Sequence, residues 1–425
     1  MKWNVKLKAG ALQFVLFIGV VIAILLLTFV TLSHTHSFFS KKTGLLIQTI
    51  KKADLGLAFA MKSDMILNDT VTIDLGMADD PIAIKAVKTY WGVFEKYAIV
   101  SSFKKTRFVK NALIGGEFDQ LTPALYVKDM DRPMIIAGHA KITGDAFLPK
   151  QGIRTGNISG HSYFLKELVY GKQKVSKSEL PELDQKLKQQ LTTVLLEQSY
   201  GSNDAISIQN NSALRVSFNQ PTQFIYGTVI TMADQELTGH IVVQASQKII
   251  IEASALLQDI VLLAPEIIIK DGVTGTFQAI ASHFISVGKG CQLTYPSALV
   301  VYENFKNPSS PNNQQKPNIL IQEKASITGV VVYLGKTKEQ FFYPQLKIEA
   351  GARITGEVYC EEGLELKGEV RGTVATARFM ALENGSIYQN HLYNGTINSS
   401  LVPEHYVGIL LDESIRKKEI AKWLY

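Results

Sequence analysis

The sequence predicts a mainly β protein: an N-terminal transmembrane helix and small α/β module, then a parallel β-solenoid (β-helix-like) with a helical insertion and a C-terminal cap helix. Three observations carry that prediction. Residues 11 to 32 form 22 consecutive positions without a charge. The pattern Ala-x-Ile-Thr-Gly-x-Val occurs at Ala325 and again at Ala352, within a wider run of related segments 16 to 19 residues apart. Charged residues make up 19% of the 425-residue chain, below the ~25% of ordinary globular proteins, while hydrophobic residues stand at an ordinary 46%.

The anchor comes first. At ~1.5 Å per residue, the stretch from Ala11 to Leu32 crosses a hydrocarbon layer of ~30 Å. A basic leader, residues 1–10 with Lys2, Lys6 and Lys8, precedes it. A cleaved secretory signal has a shorter apolar core and a small-x-small site behind it, which Thr35 to Phe39 does not offer. The segment therefore reads as a retained single-pass anchor in the lipid bilayer. Lys41, Lys42, Lys51 and Lys52 follow it and nearly balance the flanking charge. The three-lysine tail favours a cytoplasmic N-terminus, with the bulk of the chain periplasmic or extracellular.

Residues 33–62 continue as an amphipathic helix, with Leu45, Leu46, Thr49, Ile50, Ala53, Leu57 and Ala60 at three- and four-residue steps and Gly44 as a possible bend. A small antiparallel β-meander is expected over 63–124. Asp79-Asp80-Pro81 marks a turn; strands follow around Ile82–Lys88, Val93–Ile99 and Phe103–Leu113, with turns at Gly92 and Ser101-Ser102. From 125 to 411 the texture becomes short apolar alternations between glycines. Segments beginning around Ala245, Ala264 and Ala281 align, and Gly356 and Gly372 stand 16 apart. Such a period suits one rung of a solenoid, in which each rung pairs with those above and below and none is stable alone. A sandwich or barrel would also have many short strands but would not repeat that motif. A helical insertion is expected over about 178–200, with Ser178 as N-cap and Pro181 in the first turn. The polar, proline-bearing run 307–318 reads as an extruded loop, and the segment 335–345 as a second insertion. Residues 412–425 read as an amphipathic helix capping the open solenoid end, with Ile415, Ile420, Trp423 and Leu424 apolar.

Little chemistry is written in the residues. Net charge is +6, of which three charges belong to the leader, so the body is nearly neutral and nucleic acid is not an expected partner. Two cysteines exclude a disulfide scaffold; Cys291 and Cys360 could pair outside the cytoplasm or stay as buried thiols. His34 and His36 would point to different faces of a helix, a poor metal pair. The acid pairs Asp234 with Glu236, Glu361 with Glu362, and Asp259 with Asp271 could serve a polysaccharide-cleaving enzyme only if they converge in a groove. None has a recognisable ligand spacing, so no catalytic residue, metal or cofactor is expected. Lys96, Lys104, Lys105, Arg107 and Lys110, interleaved with Phe103 and Phe108, read first as a solvated strand face and second as a surface for an acidic glycan, headgroup or partner.

The first 120 residues or so resemble type IV prepilin-like proteins. Lys2, Lys6, Lys8 and Gly10 match a basic leader ending in glycine, and the apolar helix, amphipathic extension and meander follow in the family's order. The resemblance implies cleavage by a prepilin peptidase between Gly10 and Ala11, and packing of the helix among other pilin-like subunits. Two positions depart from the pattern. Val15 stands where the family usually has glutamate, and Ala11 where it has a large apolar residue. Loss of that glutamate and a large extra domain are traits of the K-type minor pseudopilins. The resulting expectation is a non-enzymatic, membrane-anchored envelope protein, a minor-pilin-like subunit of a secretion or surface-filament assembly. The alternatives are a stand-alone surface solenoid that binds glycan or adheres and, last, an anchored polysaccharide lyase or hydrolase.

Overall fold

The computed structural model describes residues 9–75, 81–119, 121–196, 212–303, 316–335, 343–411 and 417–425. It is mainly β, 52% strand and 18% helix, with one long apolar helix at the N-terminus. The chain divides into two compact units: residues 1–65, 69–87 and 99–109 in the first, and 66–68, 88–98 and 110–425 in the second.

In the first unit a single helix, Ala9–Lys62, runs 54 residues. Every residue from Gly10 to Gly44 is exposed, and the apolar stretch has a mean hydropathy of 3.0 over its most apolar window. It is long and apolar enough to cross a membrane. Two of its threonines satisfy their hydroxyls within the helix: Thr31 Oγ1 donates to Leu27 O at 2.8 Å and Thr35 Oγ1 to Thr31 O at 2.7 Å. That suits a polar side chain with no water beside it. The second half of the helix buries Thr49, Ala53, Leu57 and Ala60, a stripe at helical spacing. Gly56 lies so close to Ile84 and Ile99 that an added Cβ would come within 2.7 Å of Ile84 Cγ2, and Ser101 Oγ donates to Thr49 O at 2.6 Å. The helix does not end at Gly44. A strand absent from the sequence reading, Thr70–Ile73, pairs antiparallel with Ile84–Val87.

The second unit is a stack of strands in parallel ladders that close into a ring. Equivalent residues form columns through the stack. One runs Ile225, Val243, Leu262, Ala279, Leu299, Val331, Val358, Val374, Leu125, Ala146, and none of these is more than 3% exposed. A second runs Ile249, Ile267, Ile285, Ile319, Leu346, Leu364, Phe379. Side chains alternate along each strand, so a column of like residues points inward together. The glycine of the repeated motif has a steric role. Gly329, Gly356 and Gly372 are in register at φ 147°, 134° and 155°, and a Cβ on Gly356 would sit 2.1 Å from Gly329 O.

The order along the stack is not the order along the chain. It begins at Ala213–Val216 and ascends to Glu369–Glu383 and Thr396–Asn398. On that last layer rest Leu125–Val127 and Lys141–Thr143, then Ala146–Leu148, then Gln173–Val175. The first-made strands thus pair with the last-made ones, and residues after 175 return the chain to Ala213–Val216. Part of that return is the helix Gln185–Leu196, which starts later than the expected residue 178; residues 197–200 lie outside the described residues. Its N-cap is Asp184 rather than Ser178: Asp184 Oδ1 accepts from Leu187 N at 2.8 Å.

The described part of 412–425 is no cap helix; Lys418–Leu424 is a strand antiparallel to Thr106–Glu117, pairing Ile420 with Ile114 and Leu424 with Asn111. An unpaired strand edge offers its backbone to whatever is near, and that outweighs a weak helical period. Val407–Gly408 joins the same strand, so 63–124 is not a closed module. The turn before Thr106 lies at Lys104, φ 51°, rather than at Ser101-Ser102, because Ser101 is buried and belongs to the strand Phe94–Phe103. The leader through Lys8, Asp79-Asp80, and most of the 307–318 loop and the 335–345 insertion lie outside the described residues.

Candidate functional site

The strands of the stack are buried on both faces along one flank. Their outward residues Val242, Val261, Leu263, Ile280, Val300 and Val332 form a second apolar cluster with Trp91, Phe94, Leu187 and Leu191. The tip of the hairpin carrying Trp91 is pinned there by one amide. Gln278 Oε1 accepts from Val93 N at 2.9 Å and Gln278 Nε2 donates to Trp91 O at 2.9 Å. Gly92, at φ 62°, lets the hairpin close on that amide, since a Cβ there would meet Gln278 Oε1 at 2.1 Å. Trp91 Nε1 donates to Asp259 O at 3.0 Å.

Beside this tip a cavity of about 290 Å³ opens. Val242, Val261, Leu263 and Ile280 form one wall; Gln190, Leu191 and Val194 of the helix Gln185–Leu196 line another; Lys96, His240 and Thr222 supply polar groups. Lys96 is 9% exposed. Its Nζ lies 2.8 Å from His240 Nε2 and stands 5.8 Å and 5.9 Å over the Trp91 and Phe218 rings. His240 Nδ1 is 2.8 Å from Gln220 O. A carbonyl only accepts, so Nδ1 carries the proton and Nε2 presents its lone pair to Lys96 and to Thr222 Oγ1 at 3.0 Å. Burial pushes the Lys96 ammonium down to about 8. Burial, and then the Lys96 charge, push His240 down to about 4 against the opposing hydrogen bond to Gln220. At neutral pH the pair is a cationic lysine on a neutral imidazole. Burial, Glu95 and Asp184 together push the neighbouring Tyr90 phenol up.

The neighbouring Glu95 is not the counter-ion of Lys96. It lies on the opposite face of its strand, where it pairs with Lys88 and, at 3.3 Å, with Lys418.

The residues singled out in the sequence do not gather here, Lys96 excepted. The basic stretch is solvated in part: Lys104, Lys105 and Arg107 are exposed, Lys104 standing 5.2 Å over the Phe103 ring, whereas Lys96 is buried and Lys110 stands 3.8 Å over the Trp423 ring. Each acid pair is dispersed into separate structural contacts. Glu236 pairs with Arg215, Glu361 with Lys188 at 3.1 Å, Glu362 with Arg378 at 2.9 Å, and Asp259 with Lys422 at 2.6 Å. Asp271 Oδ1 accepts from Lys289 N at 2.8 Å, and Asp234 N is bound to Ser254 Oγ at 3.1 Å. Cys291 and Cys360 are both free and buried; burial raises both thiols, Cys360 to about 12. His34 and His36 are exposed on the long helix. Gly10, Ala11 and Leu32 lie within that helix and are exposed, and Leu32 marks no break in it. Among the described residues no three His, Cys, Asp or Glu side chains group as metal ligands.

His240 and Gln278 had no sequence signal, because their partners lie 144 and 185 residues away. Comparison with protein-family models, curated proteins and solved structures finds no match.

Proposed function

We propose that this chain is a non-enzymatic, membrane-anchored envelope protein, a minor-pilin-like subunit whose helix packs among other such subunits and whose body is a β-solenoid held beyond the bilayer. The observation that carries the reading is the helix itself. Ala9–Lys62 is continuous, exposes apolar side chains through its first half and buries a stripe beneath strands through its second. That division suits a helix with one half in lipid or among neighbouring helices and the other fixed to its own domain. The in-register columns, which repeat at every layer, support the solenoid part. With the N-terminus cytoplasmic, the solenoid is periplasmic or extracellular, free to meet a glycan or a protein substrate.

The experiment is intact-mass and N-terminal sequencing of membrane-extracted protein, made with and without a co-expressed prepilin peptidase. The expected result is a new N-terminus at Ala11 only when the peptidase is present, lost in Gly10→Val. A chain that begins at Met1 under both conditions overturns the pilin-like reading and leaves a simple anchored solenoid.

A further inference from the structure

We propose that the cavity beside the Trp91 hairpin is a binding site for a small single-chain amphiphile bearing one carboxylate, with the Lys96 ammonium receiving the acid and the walls of Val242, Val261, Leu263 and Ile280 receiving the tail. This goes beyond the anchoring role and does not depend on leader cleavage.

Lys96 is a buried cation without a counter-ion. Of its three N–H donors one is used on His240; among the described residues no carboxylate pairs with it, and the remaining donors meet no acceptor. Aromatic faces at 5.8 and 5.9 Å compensate only part of that desolvation. A ligand carboxylate would supply both the missing charge and the missing acceptors.

The imidazole is arranged to allow the exchange. Nε2 has one lone pair, and both Lys96 and Thr222 are within hydrogen-bond reach of it. When an incoming acid takes Lys96, Thr222 keeps His240 satisfied.

The rest of the cavity defines what the acid is attached to. Six of its sixteen lining residues are branched aliphatic and three are aromatic, and these surfaces reward methylene groups. Its volume, about 290 Å³, lies near the lower limit of the roughly 300–1,000 Å³ at which proteins hold small organic ligands. A two-chain lipid does not fit that space. A dianionic phosphate head is a poor match for the single cation that lines it, whereas a monoanionic carboxylate matches it in charge.

The test uses the full chain in nanodiscs, titrated calorimetrically with octanoate, octanol and octylammonium, with empty nanodiscs subtracted. The three probes share a tail and differ in head. Octanoate is expected to bind, octanol at least tenfold more weakly, and octylammonium not at all. Lys96→Met keeps the length and apolarity of the side chain and removes a buried charge, so it should fold; it is expected to weaken octanoate at least tenfold and leave octanol unchanged. Val194→Trp, which fills the cavity from the helix side and retains Lys96, is expected to abolish both. Equal affinity for octanoate and octanol, octanoate affinity within twofold of the parent in either variant, or no octanoate heat above empty nanodiscs overturns the proposal.

Discussion

The two faces of the stacked strands solve the same burial problem in different ways. On the inner face, Leu262, Ala279, Leu299 and Val331 meet residues of their own kind from the layers above and below. One rule, repeated, closes that core. On the outer face Val261, Leu263, Ile280 and Val300 need cover from elsewhere. It comes from the Trp91 hairpin, from Leu187 and Leu191, from Ile409 and Leu411, and from Leu424. A core assembled from unrelated segments packs less completely than a column. It is there that the molecule leaves a cavity and buries Lys96, His240 and Gln278.

The largest expected effect tests that contrast directly. Leu299→Ala removes a fully buried inner side chain whose neighbours are held by their own ladders and cannot collapse inward. It is expected to cost about 3–4 kcal/mol. Val242→Ala, on the outer face at the cavity wall, deletes groups that already border empty space and is expected to cost about 1 kcal/mol. Urea midpoints of the two variants check the difference; equal losses would mean that the outer face is packed as tightly as the inner.

A smaller effect should be confined to the outer face and appear as a pH dependence. His240 is held near 4 in the folded state, against ~6.5 unfolded. Between these values the unfolded chain binds the proton first, so stability is full above about 6.5 and falls as pH drops to about 4, by about 2–3 kcal/mol. Lys96 follows the same rule on the alkaline side. Its folded value near 8 lies below the unfolded ~10.5, so stability rises as pH climbs through that interval. The difference between parent and His240→Gln melting temperatures, measured from pH 7 to pH 4, isolates the acid limb from all other carboxylates. A constant difference would place His240 in a solvated site.

The same contrast explains what could be read from the amino acids alone. Anchor and inner columns are written locally. A membrane helix needs only a charge-free run, and a layered core needs only a period, which Ala325 to Val331 and Ala352 to Val358 supply in pairs that turn out to be in register. The glycine of that motif was visible as a corner, although its reason, the carbonyl of the previous layer at about 2 Å from any Cβ, was not. The outer face is written non-locally. Nothing near Lys96 announces that its partner is His240, and no period reveals that Leu125–Val127 lies on Val374–Thr376. The C-terminal strand is hidden for the same reason: its spacing fits a helix weakly, and the strand edge that claims it is some 300 residues earlier in the chain. The cavity inherits this. Of its residues, charge marks Lys96 and turn chemistry marks Gly92, and nothing in the sequence joins the two.

The smallest effect concerns the cover alone. Asp184 ends the extended return segment and starts the helix Gln185–Leu196, accepting from Leu187 N through Oδ1 and from Lys188 N through its carbonyl at 3.1 Å. Asp184→Ala removes the side-chain acceptor and leaves the carbonyl, a loss of about 1 kcal/mol for an N-cap. Part of the helix is also held by Leu187 and Leu191 in the outer cluster and by the Lys188–Glu361 pair, so the helix should loosen at its first turn rather than detach. Amide hydrogen exchange is therefore expected to quicken at Leu187 and Lys188 and to stay unchanged at Leu262 and Leu299, whose amides belong to the ladders. If exchange quickens equally in both places, cover and columns unfold as one cooperative unit, and the outer face is as integral to the stack as its interior.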